Sequence, residues 1–514
     1  MNSVKERRIG VILSYSAIAL SVVTGILYTP IMLRLMGKSE YGLYGTVLSF
    51  VGLLSLLDAG FSSSYIKFYS KYKSENREDK IKSFNSLFFT VFFIISIVAL
   101  IIGTFFSFNA NLIFDKGLTD EEYSKAGIMM FLLTLSVSLG FATSIFSCYI
   151  SAQEKFVFLK GTGLLNTIFT VCINLIVLYF GYGAVGLIVV QLASNILLKS
   201  VYIYVCIKKL NLKFSFSTME KSLFKQVFTF SGLIAINMVV DKVNQGIDSV
   251  LLGRYCGTAA VAVYSVASNL NSSFTTLSTA ISGVFTPHIH NLVNSYEFDS
   301  FEQRKALTQF FVKVGRIQFM LLCFVASGFV FFGRPFIRIW AGEGYEQSYI
   351  IALILIIPSI IPLSQNVGIE IQRAFNRHHY RAYIYGSMAI LNLILSIFLC
   401  QKYEGIGSAI GTAIACILAN IIIMNIVYDK RININILDYW KNVSRTLLGM
   451  IIPFIVGILI MNFADLSSVA NLIIFILIYS VAFCVCIYFL SFNDYEKSLV
   501  KNILKKFKRR QTNG

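Results

Sequence analysis

SFNSLFFTVFFIISIVALIIGTFFSF, residues 83–108, runs for 26 residues without a charged side chain. A helix needs roughly 20 apolar residues to cross the hydrocarbon of a bilayer, so the stretch reads as a transmembrane helix. Six basic residues in 67–82 precede it, and a short polar segment with Lys116 and Lys125 follows. Outward from here the chain repeats that alternation of apolar run and basic or polar segment in both directions.

Fourteen spans are expected, at about 9–36, 41–67, 83–108, 126–151, 156–180, 184–207, 225–253, 258–287, 306–332, 346–372, 379–401, 405–428, 446–463 and 468–491. The eighth is the most polar, because Asn269 to Ser282 is rich in Ser and Thr. The composition agrees. Of 514 residues, 56% are hydrophobic and only 14% charged, against about 25% charged in soluble proteins, and the mean hydropathy is +0.71. Nearly the whole chain is membrane domain. The basic N-terminal run continues into apolar residues through Met32, too long for a cleaved signal, and is expected to be kept as the first span.

The net charge of +18 invites a nucleic-acid reading, but its distribution excludes one. With the N-terminus inside, cytoplasmic segments hold 34 of the 44 Lys and Arg residues and outer segments hold eight. That asymmetry orients helices in a bilayer, and an odd miscount of spans would scramble it. Both termini are therefore expected in the cytoplasm of a cell whose plasma (inner) membrane carries the chain. None of the nine cysteines forms a C-x-x-C pair, which reads as buried free thiols.

The chain is also duplicated. Gly37, Tyr41 and Tyr44 recur as Gly257, Val261 and Tyr264, each 220 residues on. Ala152 and Lys155 recur as Ala374 and Arg377 at 222, and Asn174 as Asn392 at 218. Six spans separate the copies, so both enter from one side as parallel repeats about an axis along the membrane normal. The expected domains are a six-helix bundle over 1–210, a linker over 211–224, a second bundle over 225–430, spans 13 and 14 over 431–491, and a basic tail over 492–514.

The stretch LMGKSEYGLYGTVLSFVGLLSLLDAGFSSSYIKFYSKY, residues 35–72, resembles the start of the polysaccharide flippases that export O-antigen and capsule units, within the multidrug/oligosaccharidyl-lipid/polysaccharide exporter superfamily. The resemblance continues through ISAQEKF at 150–156, NLIVLYFGYGAVG at 174–186, AFNRHHYRAY at 374–383 and GIGSAIGTAIA at 405–415. It implies an all-α membrane protein of two pseudosymmetric six-helix bundles around a central cavity lined by spans 1, 2, 7 and 8, with spans 13 and 14 appended. It further implies a non-enzymatic flippase without cofactor, moving undecaprenyl-diphosphate-linked oligosaccharide to the outer leaflet by alternating access. Polysaccharide polymerase and glycosyltransferases are candidate partners.

Several polar residues stand inside spans, where an ionised group costs about 2.5–3.5 kcal/mol unless it meets water or a partner. In VVDKVNQGIDSVLLGR of the seventh span, Asp241, Asn244, Gln245 and Asp248 fall at i, i+3, i+4 and i+7, one polar stripe. Lys242 beside it lies near mid-membrane. The set fits a cavity wall in which Lys242 meets a lipid diphosphate; it also fits an Asp–Lys set that neutralises itself between bundles. Arg34 and Arg254 are repeat equivalents at the outer ends of spans 1 and 7. Either they clamp a phosphate or they snorkel to headgroups. Asp58 and Glu370 are the remaining embedded acids. Each fits an ion-coupling site; a packing hydrogen bond is the alternative for Asp58, and an i,i+3 pair with Arg373 for Glu370.

Other chemistries fail on spacing. Gly37-Lys38-Ser39 ends like a phosphate-binding loop, but Met32 stands where its first glycine belongs. His288 and His290 lack a third metal ligand nearby. The competing readings are a lipid II flippase and a multidrug or metabolite cation antiporter of the same superfamily.

Overall fold

The computed structural model describes residues 3–114, 118–216, 221–297, 300–375, 377 and 379–511. Among the described residues all regular structure is helical. The chain begins with α1 (Ser3–Leu53), α2 (Phe61–Ser74), α3 (Glu78–Phe108), α4 (Asp120–Ala142), the short α5 (Ser144–Ala152), α6 (Phe156–Tyr179) and α7 (Gly183–Lys208). Next come α8 (Lys221–Tyr255), α9 (Thr258–Ser282), α10 (Thr286–Asn294), α11 (Phe301–Trp340), α12 (Gln347–Ser364) and α13 (Asn366–Ala374). It ends with α14 (His379–Cys416), α15 (Met424–Arg431), α16 (Ile436–Ser444), α17 (Ile451–Phe463), α18 (Val469–Cys486) and α19 (Asp494–Gln511).

Among the described residues, ten helical stretches are long and apolar enough to cross a membrane. Two of them, Ile12–Ser74 and His379–Arg431, run for 63 and 53 residues, too long for single crossings at 1.5 Å per residue. Gly37 (φ 76°) divides the first and Glu404 (φ 49°) the second into two crossings, and the first is interrupted again by the 3-10 turn Leu54–Asp58 ahead of α2. α8 and α9, 35 and 25 residues long, lie outside those ten, α9 being diluted by Ser, Thr and Asn; with them the number reaches the fourteen that the apolar spacing predicts. Helices continue through Pro30, Pro358 and Pro362; the interruption near the last two falls at Gln365, between α12 and α13.

Two compact units divide the chain. One comprises Met1–Ser265 with Ala389–Gly411, the other Val266–Met388 with Thr412–Gly514. The division runs through α9 and α14, not through the segment 211–224 that sequence spacing marks as a linker.

In the first unit the core is aromatic. Tyr65, Phe84, Phe88, Phe92 and Ile145 are fully buried where α2, α3 and α5 meet. Small residues bring α3 and α4 together: the Ser96 and Ser138 hydroxyls lie 2.8 Å apart, and a Cβ on Gly103 would sit 2.3 Å from Thr134. In hydrocarbon, where apolar surface gains nothing by leaving lipid, such close contact and interhelical hydrogen bonding hold helices together. α6 shows the opposite case, with only 11% of its most apolar window buried.

In the second unit Phe311, Tyr428 and Tyr439 pack α11, α15 and α16 into one core, while Phe331, Tyr479 and Phe483 pack α11 against α18. α19 is anchored at its root. Arg316 on α11, 5% exposed, donates from Nε and Nη2 to the two carboxylate oxygens of Glu496 at 2.8 and 3.0 Å. Its other donors reach the carbonyls of Asn442 and Ser491. Asn493 and Glu496 exchange hydrogen bonds of 2.8 and 2.9 Å in a cap of the α19 N-terminus.

Candidate functional site

The duplication is present in the backbone. Gly37 and Gly257, 220 residues apart, both take positive φ (76° and 85°), a conformation that costs a residue with a Cβ roughly 1–2 kcal/mol. Gly37 turns the chain from the first crossing into the second, and Gly257 turns it from α8 into α9. Beside these turns α1 packs on α8 and α9 with little room. A Cβ on Gly42 would lie 1.8 Å from the Thr258 carbonyl oxygen, and one on Gly253 would lie 2.5 Å from Thr46.

A polar knot sits on the same end of the first unit. Glu122, in a capping box with Thr119 at the start of α4, accepts hydrogen bonds from Ser39 just past the α1 break and from Thr258 at 3.2 Å. The Ser39 and Thr258 hydroxyls are 2.9 Å apart. Next to it, Glu40 accepts from the Ala184 N–H at 2.7 Å, at the first turn of α7, where a carboxylate complements the helix dipole. One carboxylate thus ties α1, α4 and α9, and its neighbour ties α1 to α7.

Sequence reasoning passed over this knot. Its members are ordinary end-of-helix residues, more than 80 positions apart in the chain for Ser39 and Glu122. A visible signal was the Thr119-x-x-Glu122 spacing of a capping box.

The expected residues are placed as follows. Lys242 is half-buried, 13 residues before the end of the 35-residue α8, roughly 20 Å from that end by helix rise. Asp241, Asn244 and Gln245 lie outside the residues whose side chains are described. Asp248 is 4% exposed and takes three hydroxyl donors, Tyr264 at 2.7 Å, Ser408 at 2.7 Å and Ser396 at 3.2 Å. It therefore fastens α8 to α9 and to the two arms of α14. Arg34 is exposed near the end of the first crossing, whereas Arg254 is half-buried, its guanidinium 5.8 Å from the Tyr255 ring. Asp58 closes a 3-10 turn, Leu54–Asp58, and accepts from Ser62 at 2.8 Å. Glu370 and Arg373 form the i,i+3 ion pair at 2.7 Å.

A family model for polysaccharide biosynthesis proteins matches residues 31–350. The chain belongs to that family. The "Putative O-antigen transporter" of Shigella flexneri is 24% identical to this family member over 397 residues, which is 75% of this chain and 89% of the relative. Among solved structures, lipid II flippase MurJ in an inward closed conformation matches 92% of this chain and 97% of its own, with TM-score 0.72 and 19% identity. An inward-facing multidrug resistance MATE family transporter of the MOP superfamily matches 77% of this chain and 93% of its own, with TM-score 0.60 and 12% identity. At those identities the structural likenesses speak for the fold alone. The match covers the residues 35–72 that carry the resemblance, and this member of the polysaccharide biosynthesis family is a multi-pass membrane protein.

Proposed function

We propose that the protein flips undecaprenyl-diphosphate-linked oligosaccharides from the inner to the outer leaflet of the plasma membrane by alternating access, with both termini cytoplasmic. The observation that carries the reading is Lys242, a half-buried cation deep within the α8 crossing of a polysaccharide-family transporter. An embedded lysine stays only where it meets water, an acid or an anionic ligand, and a diphosphate supplies the anion. Asp241, Asn244 and Gln245 offer polar partners along the same helix. Arg34 and Arg254, repeat-related at the outer helix ends, receive the diphosphate on exit. Asp248, saturated by hydroxyls, holds the wall and does not touch the substrate. Asp58 and Glu370 are each engaged by a local partner, which leaves the membrane potential to drive the anion outward. The knot at Glu122, Ser39 and Thr258 must open for release.

The test is complementation of a strain lacking the gene. Lys242→Ala should abolish most surface glycan at normal protein abundance, and Lys242→Arg should restore part of it. Full export by Lys242→Ala would remove the lysine from transport.

A further inference from the structure

Cys256 and Cys400 stand 144 positions apart, so no spacing rule pairs them. Cys256 directly follows α8 and precedes the Gly257 turn (φ 85°). Cys400 lies four residues before the Glu404 break in α14 (φ 49°). Both belong to the first unit, which is assembled from two separate pieces of chain, Met1–Ser265 and Ala389–Gly411. One thiol sits on each piece.

The fold brings the two sulfurs together. Cys256 Sγ donates to the Cys400 carbonyl at 3.3 Å, and the two thiols share a side-chain hydrogen bond. Cys400 is fully buried, while Cys256 is half-buried. Neighbouring contacts hold both residues in place. Two helical turns before Cys256, Asp248 accepts a hydrogen bond from Ser396, which lies one turn before Cys400. The second arm of α14 lies against the Cys400 backbone: a Cβ on Gly407 would fall 2.1 Å from the Leu399 carbonyl oxygen and 3.0 Å from Cys400 N. A buried thiol often serves as a small apolar filler, as Cys206 does with its thiol on the Phe146 carbonyl at 3.3 Å. Filling asks for no second thiol at the same spot.

The two cysteines end the seventh and eleventh crossings, on the side where Gly37 turns the first crossing into the second. With the N-terminus cytoplasmic, the topology put forward under Proposed function and on which this inference rests, that side is the outer one. Disulfides form and persist on the outer side of a cell membrane. We propose that Cys256 and Cys400 join in a disulfide that staples the Ala389–Gly411 piece of the first unit to the end of α8. The oxidant is an exogenous disulfide. Half-buried Cys256, as its thiolate, attacks one sulfur of that oxidant and expels a thiolate. Cys400 then attacks Cys256 Sγ in the mixed disulfide and expels the second. Two protein thiols are oxidised to one disulfide, the oxidant is reduced to two thiols, and the two protein protons pass to the leaving sulfurs. The cysteine sulfurs close from hydrogen-bond contact to about 2.05 Å. In the chain-entropy model a bond across so long a loop constrains the unfolded chain strongly.

The test starts with cells expressing the full-length protein, quenched in acid and blocked with N-ethylmaleimide before the membranes are digested for mass spectrometry. Most of the wild-type protein should yield a peptide pair linking Cys256 to Cys400 that disappears on reduction. Recovery of both residues as maleimide adducts, or a link from either to another cysteine, would overturn the proposal. The measurement is made on wild type, so it does not depend on a variant folding. Reduction by a phosphine should lower the melting temperature of wild type and leave that of Cys400→Ser unmoved; an equal response of the two would overturn the staple. A membrane-impermeant maleimide applied to intact cells should modify Cys256 in Cys400→Ser. Modification only after permeabilisation would place the pair inside and overturn the proposal together with the topology beneath it. None of these readouts scores glycan export, so failure here is distinguishable from failure of the flippase reading.

Discussion

Arg316 and Glu496 pose the sharpest electrostatic question in the second unit. Their side chains are 6% and 3% exposed and joined by two hydrogen bonds. Removing one member of a buried pair strands the other charge, at a cost of roughly 3–5 kcal/mol. Arg316→Ala should therefore lower the melting temperature of the purified protein clearly, whereas Arg316→Met/Glu496→Leu should recover most of it; equal melting of the single variant and wild type would count against the pair. The two arginines Arg34 and Arg254 differ in exposure, so their contributions should differ too. If they receive the diphosphate together, Arg34→Gln/Arg254→Gln should cut glycan export well beyond either single change, measured at matched abundance. The Arg316–Glu496 pair could not be read from spacing. Arg316 looks like one more inside-facing basic residue, and its acid lies 180 positions away. Asp248 was legible as part of a polar stripe, but its partners Ser396 and Ser408 come from a helix 148 and 160 positions on.

Among the elements, crossings were legible because bilayer thickness fixes both the length and the composition of a spanning helix. The two breaks at Gly37 and Gly257 were legible as one repeat, since each sits at the same place in its copy. Less legible was how closely the helices beside those breaks approach, because a glycine in sequence does not say which backbone faces it. Gly42 meets the Thr258 carbonyl so closely that any side chain must push α1 from α9. Gly42→Val should thus separate the two helices and loosen the Ser39–Glu122–Thr258 knot. A disulfide engineered between positions 39 and 258 should form readily in wild-type background and poorly with Val at 42, as scored by a gel shift; equal crosslinking would refute the contact. The compact units are cut within α9 and α14, where helix packing decides which turns cohere.

At the scale of the whole molecule, the substrate proposed here would draw on the membrane potential. A diphosphate carrying about two negative charges gains roughly 5 kcal/mol on moving outward across an inside-negative 100 mV, at about 2.3 kcal/mol per charge. Proteoliposomes that hold the protein and a lipid-linked oligosaccharide should flip it faster under a potassium diffusion potential of that sign. Collapsing the potential with symmetric potassium and valinomycin should return the rate to its baseline. A rate indifferent to potential but responsive to a sodium or proton gradient would shift attention back to Asp58 and Glu370.

The α19 root carries a consequence for how the chain is made. Arg316 enters the nascent protein 180 residues before its carboxylate partner, an interval on the order of 10–40 s at bacterial elongation speeds. Until codon 496 is translated, α11 holds a guanidinium whose bidentate partner does not yet exist. A chain that stops ahead of residue 496 never gains the carboxylate that neutralises it.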